Sequence, residues 1–325
     1  MKKAATTRAL GRLGTAVLTL TLAACGGAAS AQPEAVPAAS SAPAASSSAA
    51  APSTPTPAAG SQPVTKVLVV VEENHSLDEM RSGMPYLYGL AKRFGYADHY
   101  TAIRHPSLPN YLAIAGGDTF GVTDDADPSA HVLTGPTIFS QALAHGRTAG
   151  IYADAMTENC QTTPDTSTRY AVKHNAWAYF TDERAGCRSG DVGTGFRQAA
   201  EQDALPNVGM LIPNTCHDAH DGDQGCTLTD ADGWLGSQLP AVLASTDFTS
   251  GRLAVVVTAD EDDRSSGNTV LTVVLQAGLD GSGTVASTPL THYSLSRFCS
   301  QVAGGAPLRE AASAPDLAEA FHLTV

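Results

Sequence analysis

Basic residues are scarce in this chain: 19 Lys and Arg stand against 32 Asp and Glu, a formal net charge of −13. That balance excludes non-specific nucleic-acid binding, which needs a basic face. No long hydrophobic run is present. The longest apolar stretch near the start, residues 13–22, is too short to cross a bilayer. Aromatic residues are few, and residues 28–64 contain none and a single charge, Glu34. A segment made almost wholly of Ala, Ser, Pro, Thr and Gly cannot bury enough apolar surface to fold. No internal repeat is visible, which excludes solenoid and propeller arrays.

What is present divides the chain in three. Lys2, Lys3, Arg8 and Arg12 precede the short apolar run, which ends in Leu22-Ala23-Ala24-Cys25. Basic residues followed by a short apolar core form an export signal, and Leu-Ala-Ala-Cys resembles a bacterial lipobox. The expectation is a signal peptide over 1–24, an Ala/Ser/Pro-rich disordered tether over 25–65 and a single catalytic domain over 66–325. Cys25 would then carry lipid. The protein would be an exported lipoprotein on the outer face of the cell membrane or in the envelope, or released from it. Loss of the four basic residues with the signal takes the net charge from −13 to −17. Of the six cysteines, Cys216 pairs best with Cys226 and Cys160 with Cys187, each closing a loop; three connectivities are open to these four. Cys299 is left over in a helical segment.

Strand-like runs recur at 66–71, 148–152, 207–212, 253–258 and 269–275. Helix-like segments recur at 84–94, 109–115, 137–144, 195–202, 234–244 and 292–302. The alternation predicts an α/β fold, a three-layer α/β/α sandwich around a mostly parallel sheet. The first run, Val67-Leu-Val-Val-Val-Glu-Glu-Asn-His75, is a strand of the doubly buried type that stops at polar groups. Other strands end at Asp154, at Pro213-Asn-Thr-Cys-His-Asp-Ala-His-Asp221 and at Asp260-Glu261-Asp262-Asp263. Ligands bind at the carboxyl edge of such sheets, so polar groups gathered there predict a metal or catalytic site.

Ser107, in His105-Pro-Ser-Leu-Pro-Asn-Tyr111, stands two residues before a first-turn proline. That places its hydroxyl at a helix N-terminus, where free N–H groups favour an anion. Glu73 and Asn74 are hard oxygen ligands for a divalent cation. Asp260 and Glu261 repel each other at a buried strand end unless a cation neutralises them, and the two acids that follow are expected to be partly solvated. His174, in an aromatic segment, and His217, Asp218 and His220, in the cysteine-closed loop, can ligate metal or move a proton. His292 opens a helix and reads equally as a polar first-turn residue.

The blocks Val-Glu-Glu-Asn-His-Ser, His-Pro-Ser-Leu-Pro-Asn-Tyr, His-Asn-Ala-Trp-Ala-Tyr-Phe, Thr-Ala-Asp-Glu and Thr-His-Tyr-Ser occur in that order. In them the chain resembles the bacterial phosphoesterase family of secreted acid phosphatases and phospholipases C, within the alkaline phosphatase superfamily. It is most similar to the acid phosphatase branch. The resemblance implies a metal held by Glu73, Asn74, Asp260 and Glu261 and completed by Ser107, the nucleophile of a phosphoserine mechanism. It implies Asn74, His105, His174, His220 and His292 as further catalytic residues, with His174 or His220 protonating the leaving alcohol. The cofactor would be one or more of Ca²⁺, Mg²⁺, Mn²⁺ or Zn²⁺, and added His ligands would favour Zn²⁺. Glu72 is set aside, because the family register places the ligands at the second acid and the amide.

Three positions depart from the family, one of them Leu77, which stands where Phe is usual. His75 stands where Arg or Lys is usual and is expected to be exposed. Ala259 stands where an aromatic often precedes the Asp-Glu pair, which predicts a wider pocket mouth. The expected substrate is a small phosphate monoester or a phospholipid headgroup, handled by a monomer whose only membrane contact is the Cys25 lipid. A compact domain without a C-terminal lipid-binding extension favours the monoesterase over a phospholipase C-type diesterase. An inactive surface binding protein is disfavoured by the retained nucleophile.

Overall fold

The structure is a computed structural model and describes residues 62–192, 194–220 and 225–325. The signal segment, Cys25, most of the tether and Asp221 lie outside the described residues.

The strands in chain order are β1 (Lys66–Glu72), β2 (Gly95–Ala97), β3 (Tyr100–Thr101), β4 (Ala149–Ala153), β5 (Asp191–Val192), β6 (Val208–Ile212), β7 (Leu253–Ala259), β8 (Thr272–Leu275), β9 (Thr284–Ala286) and β10 (Leu290–Thr291). Eight form one sheet in the order β5-β4-β6-β1-β7-β8-β2-β9, and β3 and β10 form a small parallel pair. β1 lies between β6 and β7 and is parallel to both. Its Val67–Val71 segment is wholly buried, so each valine contributes about 1.5–3 kcal/mol of apolar burial. β8 alone runs against its neighbours. The expected α/β sandwich with a mostly parallel sheet is therefore what forms. The short strands β2, β5 and β9 carry too few residues to show a period in sequence.

The helices are α1 (Leu77–Gly83), α2 (Pro85–Arg93), α3 (Ser107–Gly116), α4 (Ile138–Ala144), α5 (Arg184–Gly190), α6 (Phe196–Glu201), α7 (Leu228–Ala244), α8 (Thr246–Thr249), α9 (His292–Ala303) and α10 (Leu317–Ala320). α1, α2, α6 and α7 pack together as one layer; α3, α4 and α9 pack as the other. α3 is buried along its whole length and ends at Gly117, whose φ of 69° is left-handed. A β-carbon there would meet the Leu308 carbonyl oxygen at 2.4 Å, so only glycine fits both backbone and space.

Both expected disulfides form, Cys160–Cys187 and Cys216–Cys226, and Cys299 is a buried free thiol in α9. Val64, which composition placed in the tether, is buried, and its N–H donates to the Thr324 carbonyl. No described helix is long and apolar enough to cross a membrane.

Candidate active site

The carboxyl ends of β1, β6 and β7 bring the polar groups together. Glu73 is the first residue past β1, and its buried carboxylate contacts His174 Nε2. Asp218, in the loop after β6, approaches the other side of the same imidazole, with Oδ2 at 3.8 Å from Nδ1. Tyr111 of α3 stacks on His174 at 4.9 Å between ring centroids, which fixes the ring plane. The ligand atoms of Glu73, His174 and Asp218 lie within 4.8 Å of one another. His174 is thus enclosed by acids and an aromatic face rather than presented to a pocket.

Asn74 has a φ of 50°, a left-handed turn that asparagine tolerates better than most residues. The turn aims its N–H at Asp260 Oδ1, 3.2 Å away. Asn74 Oδ1, Asp260 Oδ2 and Asp218 Oδ2 are buried and accept no hydrogen bond among the described residues. Buried oxygens of this kind are costly unless a cation or water serves them. Burial, then the Glu73 and Glu261 charges, pushes Asp260 well above the usual carboxylate range. Burial and Glu73 do the same to Asp218. Burial also works against ionised Glu73, but His174 and Lys173 outweigh it and hold Glu73 well below its ordinary value. A carboxylate-rich cluster with orphaned oxygens and one imidazole fits a divalent metal.

Ser107 opens α3 behind Pro106, the N-cap, which makes no side-chain capping bond. Asp125 supplies the missing acceptor: its Oδ1 takes the Leu108 N–H at 2.9 Å. The helix N-terminus is therefore less free for an anion than the sequence suggested. Lys173 Nζ donates to Ser107 Oγ at 3.1 Å and reaches Asp125 Oδ2 at 3.4 Å. It also lies 3.5 Å from Glu73 Oε1. Burial would lower the Lys173 pKa, but Glu73 and Asp125 raise it above the ordinary lysine value.

Glu261 turns toward a different group of partners. Its Oε1 lies 3.0 Å from His105 Nδ1, and its Oε2 accepts from Asn110 Nδ2 at 3.2 Å. Asp262 completes that clamp, 3.1 Å from His105 Nε2. It also accepts the backbone N–H groups of Arg264, Ser266 and Asn268. It is buried rather than solvated, because it builds the turn that leaves β7. His105 is thereby held in place by two acids.

His292 follows β10 at the start of α9, where Thr291 caps the helix. Both of its ring nitrogens are engaged, Nε2 by the Asp260 carbonyl at 2.7 Å and Nδ1 by the Tyr100 hydroxyl at 3.0 Å. Burial lowers its pKa to about 4. A neutral, doubly bonded imidazole positions Asp260 and has no nitrogen left for substrate. His220 differs: its side chain is 40% exposed and its Nε2 lies 3.9 Å from Glu73 Oε2. It lines a cavity of about 320 Å³ with Asn74, His75, Glu261 and Arg264.

Two expectations are corrected. His75 is buried, not exposed; its Nδ1 lies 3.4 Å from Glu79 Oε2 of α1, and that helix covers it. Ala259 is buried in register with Glu72. Strand side chains alternate between faces, so Ala259 points away from Asp260 and does not shape the mouth. Glu72, on that opposite face, is fully buried with both oxygens unbonded among the described residues. Burial, then Asp218 and Asp232, pushes its pKa up, which favours its protonated form.

Local sequence pattern does not single out Lys173, Asp125 or Asn110, and it offers Asp218 only as one of several polar groups in the cysteine-closed loop. Lys173 had one visible signal, a lone cation beside His174 in an apolar, aromatic segment.

A profile of the Phosphoesterase family matches residues 80–304, which includes Ser107, Lys173, His174, Asp218 and Asp260. The chain is 32% identical over 256 residues to the phosphatidylinositol-3-phosphatase of Mycobacterium tuberculosis, covering 78% of this chain and 81% of that protein. It is 29% identical to the phosphate-repressible acid phosphatase of Penicillium chrysogenum over 63% of this chain, spanning 51% of that longer protein. A crystal structure of an alkaline phosphatase superfamily protein from Vibrio parahaemolyticus shares the fold, with a TM-score of 0.52 at 13% identity over 80% of this chain and 73% of that one. With a family profile across most of the domain and a relative aligned over most of its length, the chain belongs to the phosphoesterase family and is a phosphoric ester hydrolase.

Proposed function

We propose that the chain is an exported, metal-dependent phosphatase that hydrolyses phosphate monoesters through a phosphoserine on Ser107. The observation that carries this reading is the Ser107 hydroxyl. It is 1% exposed, set at the start of α3, and tied by Lys173 to the Glu73 cluster. A serine serving only as a helix cap would bond its own helix, whereas Ser107 Oγ is met by Lys173 Nζ from a distant segment.

Glu73, His174 and Asp218 would hold the metal, with Asn74 and Asp260 offering further oxygens. Inclusion of His174 moves the donor set from purely oxygen toward Zn²⁺ or Mn²⁺. When bound, such an ion lowers the pKa of a nearby hydroxyl and offsets charge on a phosphoryl group.

Ser107 Oγ attacks phosphorus in line. The Oγ–P bond forms as the bond from phosphorus to the leaving oxygen breaks, and the hydroxyl proton passes to solvent. Protonated His220, at the cavity wall, gives its proton to the leaving alcohol. A water molecule then attacks the phosphoserine, giving a proton to His220. Inorganic phosphate leaves, and Ser107 is reprotonated from solvent. The Lys173 ammonium and the Asn74 side chain stabilise charge on the phosphoryl oxygens.

The name of the mycobacterial relative supports a monoester on a lipid headgroup as one substrate, which suits a chain tethered at a membrane by Cys25. The test is a paired assay of the purified chain on p-nitrophenyl phosphate and p-nitrophenyl phosphorylcholine. The monoester should turn over faster, and Ser107→Ala should lose at least about 10³-fold in kcat/KM. Faster turnover of the diester would replace the monoesterase reading. Unchanged kinetics in Ser107→Ala would remove the phosphoserine.

A further inference from the structure

Lys173 touches the nucleophile, an acid of the metal cluster and the support of the nucleophile's helix. Its Nζ lies 3.1 Å from Ser107 Oγ, 3.4 Å from Asp125 Oδ2 and 3.5 Å from Glu73 Oε1. An ammonium has three donors and no acceptor; two are used on Ser107 Oγ and Asp125 Oδ2, and Glu73 Oε1 lies at ion-pair distance. Its side chain is 22% exposed, which leaves its charge less screened than a surface lysine's. Asp125 uses its other oxygen on the Leu108 N–H. One carboxylate therefore fixes both the cation and the backbone directly after the nucleophile.

The direction of donation matters. Nζ donates into a lone pair of Ser107 Oγ, so the cation already faces the atom that bonds to phosphorus. Once that bond forms, the phosphoryl oxygens are one bond further away and lie beside the same ammonium. The carboxyl groups of Glu73, Asp125 and Asp260 act on Lys173, and two other side chains able to carry positive charge, His174 and His220, lie against Glu73. Lys173 is the cation that bears directly on Ser107 Oγ, so its loss would remove positive charge where the phosphoryl group is bonded.

We propose that Lys173 reads the charge of the substrate's phosphoryl group, giving the site its preference for dianionic monoesters over monoanionic diesters, with Asp125 as the residue that positions it. The inference rests on the assignment of Ser107 as nucleophile and adds a cause for the monoester preference. One extra negative charge about 4 Å from a partly buried cation corresponds to on the order of 10²–10³-fold in selectivity.

The experiment compares kcat/KM for p-nitrophenyl phosphate and bis(p-nitrophenyl) phosphate in wild type, Lys173→Gln, Lys173→Arg and Asp125→Asn. It also measures binding of inorganic phosphate by calorimetry in a Ser107→Ala background with and without Lys173→Gln. Lys173→Gln should lose about 10²-fold more on the monoester than on the diester. Phosphate should bind correspondingly more weakly. Lys173→Arg should recover part of the ratio, and Asp125→Asn should shift it in the same direction by less. Equal losses on both substrates, or unchanged phosphate affinity, would overturn the proposal and leave Lys173 a structural ion-pair partner. If Lys173→Gln does not fold, the Lys173→Arg and Asp125→Asn ratios decide: no shift in either overturns it. A wild type that prefers the diester would sink the monoesterase reading. A ratio that still moves with Lys173 would keep the charge-reading role.

Discussion

His292 Nε2 donates to the Asp260 backbone carbonyl across 2.7 Å, while the Tyr100 hydroxyl closes on Nδ1 at 3.0 Å. The bond fixes the tautomer with the proton on Nε2 and ties α9 to the end of β7. Burial lowers the His292 pKa to about 4, which favours the neutral ring at pH values above that.

His292→Phe is therefore expected to act on stability and on Asp260 placement rather than on proton transfer. It removes the His292 bond from a buried carbonyl, at a cost of about 1–3 kcal/mol, and leaves the Tyr100 hydroxyl with Thr258. The melting temperature should fall by several degrees and kcat should drop with no change in the pH–rate profile. A displaced limb in that profile would return His292 to the catalytic list.

His220→Asn tests the proton donor. With an alkyl phosphate, whose leaving group needs a proton, kcat should fall about 10²–10⁴-fold. With p-nitrophenyl phosphate, whose leaving group departs as an anion, the loss should be far smaller. Equal losses on the two substrates would assign His220 to binding instead.

The acid cluster makes stability depend on pH in a defined direction when metal is removed. Asp260 and Asp218 have raised pKa values, from burial first and neighbouring acids second. A raised carboxyl binds its proton more tightly in the folded state. Its contribution is full below the ordinary values of 3.8 for these aspartates and is lost as pH rises through the folded values. Glu73 is shifted the other way, so its contribution is lost only as pH falls below its ordinary value of 4.5. Chelated protein should therefore melt lower at about pH 8 than at about pH 5.5. A divalent cation should restore more at the higher pH. A flat profile in scanning calorimetry would argue against buried acids awaiting a cation.

The Cys216–Cys226 bridge closes a short loop with a sequence separation of 10, and Asp218 and His220 lie inside it. Replacing both cysteines by serine should cost about 2–3 kcal/mol. It should also lower kcat/KM beyond what the stability change explains, because Asp218 and His220 lose their frame. Activity at wild-type level in a folded double variant would show that the loop is held by other means.

Much of the architecture was legible before any coordinates. The Val67–Val71 run is buried on both faces in any register, so its place inside a parallel sheet follows from composition. Ser107 before Pro109 marked the start of α3, and the spacing of Cys216 and Cys226 marked a bridge. Local pattern encodes these features within a window of a few residues. Long-range contacts are different. Lys173 meets Ser107 across 66 residues and Asp125 across 48, and nothing in the local pattern of either segment specifies that meeting.

The amino-acid sequence by itself determined the alternating strands and helices and the polar edge at which chemistry would gather, and it favoured the two disulfide pairings that form, one of three connectivities that were open. Tertiary structure alone decided how that edge is divided. It turned Glu73 toward His174, Asp218 and Lys173, and Glu261 toward His105 and Asn110. It sent Ala259 and Glu72 to the opposite face and buried His75 under α1. The physical reason is parity and loop path: one residue's step past a strand end reverses the face a side chain occupies, and only the packed loops determine which acids then share a cation.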